Sequence, residues 1–410
     1  MIQLRIGCCI CARREIEVGN GNVEEVAETV PNRKPESTMD CPKELRPTSV
    51  LHIGKYYPPH TGGIETHLKY LVSHQSPLMP VEVVVANDGI GTRTEILDGA
   101  NITRIPTFGT IASQPLCPTL PWNLAGRSEA IVHLHVPNPW AAQSYLLSGH
   151  KGKLIVTHHA DTLGRRHLRK LTDPFVRSAM KRAAAIIVTS KRYLESSEEL
   201  GAFQEKCHVI PLGIDGEAFR AEVSDAVSRI HAKYGSRLIL AVGRLVAYKG
   251  FEYLLEAMQG IDATLLLIGT GPMDGHLQSI VEKLGIGNKV HMLGYVQDLV
   301  PYYRAALMLV LPSVSRAESF GMVQLEAMAA GIPVVNTDIE CGVPEVSVHG
   351  VTGITVPPKD AGALAGAIKT LLENPELHAK YGRTGMLRAN EEFSARRMAE
   401  RTFDVYLSVL

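Results

Sequence analysis

The sequence predicts an α/β protein of two doubly wound domains facing each other across a cleft. Three observations carry this expectation. Short, β-branched apolar runs alternate with helical patterns from Ser49 onward, as in parallel sheets covered on both faces. The runs fall into two sets separated by a polar stretch. A length of 410 residues suits two domains of ordinary size.

The first set comprises strand candidates at 50–53, 81–86, 131–136, 154–157, 185–189 and 208–211. The second comprises 238–242, 264–268, 290–293, 307–311, 333–335 and 354–356. The boundary is expected between Gly213 and Ser236, which places the first domain at 48–212 and the second at 213–392. Residues 393–410 read as an amphipathic helix. Residues 1–47 lack sustained periodicity and read as a disordered extension. Doubly wound sheets hold ligands in the crevice at the carboxyl ends of their strands.

Composition narrows the function classes. Apolar residues make up 45% and charged residues 20%, as in a globular protein with substantial cores. Lysine plus arginine equals aspartate plus glutamate at 42 each, so net charge gives no sign of nucleic-acid binding. No uncharged apolar run reaches the roughly 20 residues of a membrane span. Cys117, Cys207 and Cys341 are scattered and read as reduced thiols. Cys8, Cys9 and Cys11 cluster, with Cys41 further on, but lack the matching second pair of a zinc site.

Glu318 and Glu326 frame the most informative stretch, 315–331. It follows an apolar strand candidate and opens a helical pattern, with Ser319 placed as the N-cap. One carboxylate then stands before the helix and the other about two turns inside it. At about 1.5 Å per residue their backbones lie roughly 10 Å or more apart, too far for the paired acids of a retaining glycosidase. The spacing suits two grips on an elongated ligand, with an anion at the free amides between them. A solvated Glu and a second Glu on an exposed helix face would fit the spacing too.

Arg244 lies just past the strand candidate 238–242, and Lys249-Gly250 precedes the next helix. Both cations fall where such a sheet binds ligands, Arg as a bidentate fork and Lys as a point charge for phosphate. Gly269-Thr-Gly271-Pro272 follows the next strand, and Pro272 suits the first turn of a helix. Asp274 stands where a dinucleotide fingerprint needs its third glycine, which argues against an NAD enzyme. Gly62 and Gly63, after the first strand, leave amides free to face phosphate, while Glu65 reads as structural. In Thr157-His-His-Ala-Asp161 only one His can face the crevice along a regular strand.

The stretch 315–331 resembles the Glu-x7-Glu signature of retaining nucleotide-sugar glycosyltransferases of GT-B fold, the large family 4. The resemblance covers residues 49–410 and is strongest over 239–353. It implies two Rossmann-like domains, with the terminal helix crossing back onto the first. It assigns Glu318 to the transferred sugar, Glu326 to the ribose hydroxyls, and Arg244 and Lys249 to the donor diphosphate. Gly62, Gly63, Gly271, Pro272, Ser319, Phe320, Gly321, Met322 and Val323 fall at its donor-binding positions. A His beside the donor sugar aligns with His159, and His158 stays open. Asp161 is a candidate for the acceptor side.

No Asp-x-Asp motif occurs, so the expected chemistry uses no metal held by that motif, and no cofactor. The implied partners are a nucleotide-sugar donor and a glycan or lipid-diphosphate-linked acceptor. Residues 336–344 look most like bacterial polysaccharide mannosyltransferases, which favours GDP-mannose over UDP-sugars. A cation-rich segment, 163–183, reads either as a solvated helix face or as peripheral contact with an anionic membrane. The expected location is cytoplasmic. A GT-B epimerase and a non-catalytic nucleotide-sugar binder are the rival readings.

Overall fold

The computed structural model describes residues 49–60, 62–111, 114–161 and 166–410, with the backbone alone for 166–172. The expected extension 1–47, its four cysteines and the side chains of Arg165, Arg166, Arg169 and Lys170 lie outside this description. Sixteen strands and fourteen α-helices are formed among the described residues. The strands of the first half are β1 (Val50–Ile53), β2 (Val81–Ala86), β3 (Arg93–Leu97), β4 (Ala100–Ile105), β5 (Thr110–Ile111), β6 (Gln114–Pro115), β7 (Ile131–Val136), β8 (Lys153–His158), β9 (Ala185–Val188) and β10 (Cys207–Val209). Those of the second are β11 (Leu238–Val242), β12 (Thr264–Ile268), β13 (Val290–Gly294), β14 (Met308–Leu311), β15 (Val334–Thr337) and β16 (Gly353–Val356). The helices are α1 (Gly63–Gln75), α2 (Leu120–Ala125), α3 (Pro139–Ser148), α4 (Arg166–Arg182), α5 (Lys191–Ser196), α6 (Ser224–Tyr234), α7 (Phe251–Met258), α8 (Asp274–Leu284), α9 (Val300–Ala305), α10 (Met322–Ala329), α11 (Val343–Val346), α12 (Ala361–Glu373), α13 (Pro375–Glu392) and α14 (Ala395–Val409).

Two sheets result. The first runs β10-β9-β8-β7-β1-β2-β4-β3, parallel except for the antiparallel edge strand β3. The second runs β13-β12-β11-β14-β15-β16 and is parallel throughout. β1, β7, β11 and β14 are buried along their whole length, so side chains on both faces must be apolar or paired. Apolar clusters accordingly lie on either side of each sheet.

The polypeptide crosses between the sheets twice, and the crossings touch. Ile214 N donates to Phe393 O at 2.8 Å, and Ala395 N donates to Ile214 O at 3.0 Å. After the second crossing, Ser394 caps α14 by accepting from Arg397 N. Met398, Ala399, Val405 and Tyr406 of α14 then join the apolar cluster of β1, β2 and α1. A helix that ends the chain thus closes the core of the first sheet.

Three local expectations are corrected. β3 and β4 fall where no strand was expected, and the strand pair widens the first sheet to eight. Ser319 is not the helix cap. Gly321 takes that position at φ 75°, a left-handed conformation that glycine adopts without penalty, and α10 starts only at Met322. Glu326 therefore lies about one turn inside the helix, not two. Pro272 sits in the turn before α8, not within its first turn, because the helix begins at Asp274.

Candidate active site

The site is built from loops at the carboxyl ends of β11, β12 and β14. After β11 the chain turns through Arg244 and Ala247–Lys249 into α7. Gly250 makes that turn possible: its φ is 64°, and a Cβ there would lie 2.3 Å from Pro312 O. The 247–250 turn consequently packs against the loop after β14, and Val314 N donates to Tyr248 O at 2.8 Å. The 269–271 loop lies equally close to the first: a Cβ on Gly271 would sit 2.3 Å from Leu245 O.

This packing brings Lys249 and Glu318 together across 69 residues of sequence. Lys249 Nζ lies 2.5 Å from Glu318 Oε2, with side chains 9% and 11% exposed. Ser313 Oγ donates a further bond to the same carboxylate oxygen at 3.1 Å. Glu326, in α10, accepts from Tyr303 OH at 2.6 Å. Burial raises its carboxyl above the usual range, and the Tyr303 bond and the Lys249 charge oppose that. Both acids thus face one ammonium group. The chain from Glu318 to Gly321 is not helical, so only the steps from Met322 to Glu326 advance by helical rise.

Arg244 is exposed. Across the cleft stands Lys55, whose ammonium is lowered by burial; Glu65 pulls it back up and Arg244 pushes it down. Lys55 and Arg244 therefore sit close enough to repel each other. Such a cation pair becomes favourable once an anion lies between the two groups. Gly62 and Gly63 are exposed at the start of α1, and nothing lies within 4 Å of where a Cβ on Gly63 would be. Glu65 folds back over Gly62, in keeping with a structural role.

The residues that open α10 divide by side chain. Phe320 and Met322 are buried in the core of the second sheet, Phe320 edge-on to Phe393. They can meet a ligand only through backbone amides, and Met322 and Val323 carry N–H groups that helix geometry leaves without an intrahelical acceptor. Ser319 is half-buried, and its carbonyl accepts from Gly342 N at 2.8 Å. Gly321 turns the chain into these amides.

In the first lobe, His158 and His159 part company. His158 is engaged at both nitrogens, by Tyr193 OH at 2.7 Å and Glu199 at 3.2 Å. His159 belongs to a buried relay on the other face. Gln75 Oε1 is the acceptor at 2.8 Å for His52 Nε2, so His52 carries its proton there. His52 Nδ1 must then accept from His135 Nε2 at 3.1 Å, and His135 Nδ1 from His159 Nε2 at 3.2 Å. The tautomer of His159 follows: Nε2 is protonated and Nδ1 carries a lone pair. Beyond Gln75 the line continues through Tyr406 OH at 3.3 Å to His133 Nδ1 at 2.5 Å, then to Thr157 Oγ1 at 2.6 Å. Burial holds these imidazoles neutral, His52 at about 4 and His133, His135 and His159 well below the usual value.

The lobes touch beside this site. Asp161 lies 3.9 Å from Arg316, two residues before Glu318, and also accepts from Tyr193 OH and Ser197 Oγ. Glu345 accepts from Lys191 N and Arg192 N at the start of α5, at 3.2 and 2.7 Å. Sequence reasoning missed Lys55, Ser313, Tyr303 and the His52–His135 relay. The His133-x-His135 alternation on one strand was the single local signal for the last of these.

Among the described residues, no helix is long and apolar enough to cross a membrane. Two α4 cations of the described part, Arg177 and Arg182, lie over the rings of Phe203 and Tyr145 and so serve the lobe's own packing.

Two Rossmann-like lobes with acids and cations at the strand ends between them define a GT-B glycosyltransferase. The chain belongs to the family described as glycosyl transferases group 1, whose model matches residues 224–388; that of Glycosyltransferase Family 4 matches 61–218. It is 32% identical over 267 residues to the D-rhamnosyltransferase WbpZ of Pseudomonas aeruginosa, covering 65% of this chain and 70% of that protein. It is 28% identical over 282 residues to the O-antigen chain mannosyltransferase C of Escherichia coli, covering 68% and 76%. In fold it resembles Anabaena Alr3699/HepE, solved in complex with UDP-glucose, with a TM-score of 0.73 at 20% identity over 88% of this chain and all of that one.

Proposed function

We propose that this chain transfers a hexose from a nucleoside-diphosphate sugar to a hydroxyl of a glycan or lipid-linked acceptor, with retention of anomeric configuration and without a catalytic metal. The observation that carries the reading is the buried Lys249–Glu318 pair, set beside Arg244 and the amides that open α10. A diphosphate placed there meets Arg244, Lys55 and the helix dipole directly. Lys249 stands against the leaving phosphate while Glu318 holds its ammonium in place. Charge builds on the leaving oxygen as the glycosidic bond breaks, and preorganised donors of this kind are worth on the order of 10²-fold in rate each. Glu326, oriented by Tyr303, is placed to accept from ribose hydroxyls. His159 presents its Nδ1 lone pair to a sugar hydroxyl, in a tautomer maintained by His135 and His52. An oxocarbenium-like state attacked from the leaving-group side needs no protein nucleophile.

GDP-mannose heads the donor series, favoured by residues 336–344 and by the mannosyltransferase relative. UDP-sugars stand next, since HepE holds UDP-glucose. The proposed location is the cytoplasm, where such donors are made available; contact with an anionic membrane is the finer proposal tied to lipid-linked acceptors. The test is nucleotide release from a panel of nucleotide sugars, with chelator present, followed by NMR of the product anomer. Turnover in chelator with a retained anomer supports the proposal. An inverted anomer, or a free epimerised nucleotide sugar with no acceptor consumed, replaces it with another reaction. Binding without turnover leaves the non-catalytic reading.

A further inference from the structure

His67 lies on α1, one turn beyond Gly63, and is buried at 3% exposure. Neither of its ring nitrogens has a hydrogen-bond partner. A neutral imidazole carries one donor and one acceptor, so this ring leaves both unsatisfied in the interior, a cost the rest of the histidine relay avoids. Its ring stands edge-on to His159 with centroids 4.8 Å apart, and to His135 at 5.6 Å. One nitrogen from each of His67, His135 and His159 falls within 4.8 Å of the other two.

We propose that His67, His135 and His159 form a binding site for a borderline d-block divalent cation, of which Zn²⁺ is the type. Three imidazoles without a carboxylate suit zinc, copper or nickel and do not suit Mg²⁺ or Ca²⁺, which need oxygen ligands. The His135 Nδ1 to His159 Nε2 distance of 3.2 Å is close to the edge of a tetrahedral zinc site, about 3.3 Å for bonds near 2.05 Å. His67 closes on the pair as the third ligand, and water completes the tetrahedron. A neutral imidazole carries one ring lone pair, so each of the three can supply one ligand atom. The step balances. His135 Nδ1 already carries a lone pair, and His159 frees Nε2 by moving its proton to Nδ1, so dative bonds form with no net proton release. His52 still accepts from His135 Nε2, which is the second-ring contact a histidine ligand commonly makes.

The consequence rests on the proposed transferase reading. Metal binding turns His159 Nδ1 from an acceptor into a donor and so inhibits sugar transfer. The binding itself is independent of that reading and is measured separately. Co²⁺ is titrated into the full chain and followed by its visible ligand-field bands, with Zn²⁺ competition monitored by calorimetry. The expected result is one equivalent with tetrahedral visible bands and no ultraviolet thiolate-to-cobalt band, displaced by Zn²⁺. Any equivalent taken by Cys8, Cys9 and Cys11 is told apart by its thiolate band. His67→Leu and His67→Gln, both checked for folding by thermal melting in chelator, are expected to lose this equivalent and to keep any thiolate one. In the transfer assay they are also expected to shed at least tenfold of the sensitivity to Zn²⁺. A wild-type chain without a histidine-only cobalt spectrum overturns the site whatever the variants do, as does an unchanged equivalent in a folded His67 variant. Binding without inhibition leaves the site standing and counts against the role given to His159 in transfer.

Discussion

Removing the ammonium at Lys249 is the perturbation whose consequences can be worked furthest. Lys249→Met keeps the bulk of the side chain but leaves the Glu318 carboxylate unpaired at 11% side-chain exposure, with Ser313 as its remaining donor. Breaking a buried pair from one side costs about 3–5 kcal/mol, because the surviving charge stays in the interior. At roughly 2–4 °C per kcal/mol for domains of this size, the melting temperature falls by roughly 6–20 °C. The double variant Lys249→Met/Glu318→Leu removes both charges and regains most of that loss, since apolar replacement of a buried pair is often neutral. Turnover behaves differently. Both variants lose on the order of 10²-fold or more in kcat, because neither can meet the charge on the leaving phosphate. Calorimetric melts and steady-state nucleotide release on the two variants separate these effects. A single variant with kcat within a few fold of wild type, or a double variant no more stable than the single, refutes the reasoning.

Other expectations follow from neighbouring geometry. Tyr303→Phe removes the 2.6 Å bond to Glu326, and the donor KM rises by roughly tenfold or more, as a hydrogen bond to a charged group is worth about 1.5–3 kcal/mol; an unchanged KM contradicts the ribose assignment. Gly250→Ala forces a Cβ against Pro312 O at positive φ and destabilises the fold by about 1–3 kcal/mol in urea titration, whereas Gly63→Ala, with open space around it, leaves stability level or higher. Acid should unfold the chain early. His52 titrates at about 4 and His67 at about 3 in the folded state, against 6.5 unfolded. A lowered histidine stabilises fully above pH 6.5 and loses that contribution as pH falls towards its folded value. Melting temperature is therefore expected to drop steadily from pH 6.5 to pH 4, and a flat profile over that window contradicts the buried neutral relay.

Much of this architecture was legible because buried parallel strands have to be apolar on both faces. Leu238–Val242, Thr264–Ile268 and Met308–Leu311 could hardly be read otherwise. β4 escaped notice because its buried run contains Thr103 and Arg104. Arg104 is admitted to the interior only by Glu95 at 2.6 Å and by backbone carbonyls of Tyr57 and Pro58, partners that no local pattern reveals. β3 escaped because it is an exposed edge without an apolar face. At the site, residue types at strand ends pointed to Arg244, Lys249, Glu318 and His159, but pairings did not follow from them. Lys249 meets Glu318 through a glycine turn packed on Pro312, and His159 is linked in series to His135, His52, Gln75 and Tyr406, which come from four separate elements. Ser319 was misplaced as a cap because the usual preference for serine ignored the glycine two residues later, which enters the helix from a left-handed turn.

The central claim is that the cleft holds a nucleoside diphosphate on Arg244 and its neighbours, and equilibrium binding tests it most directly. Calorimetry with GDP and UDP on the wild-type chain and on Arg244→Gln, in chelator, is the measurement. The account predicts saturable binding of at least one of the two by wild type and a loss of tenfold or more in the variant, with the melting temperature unchanged. Equal affinity in the two proteins, or no binding of either nucleotide, would contradict it.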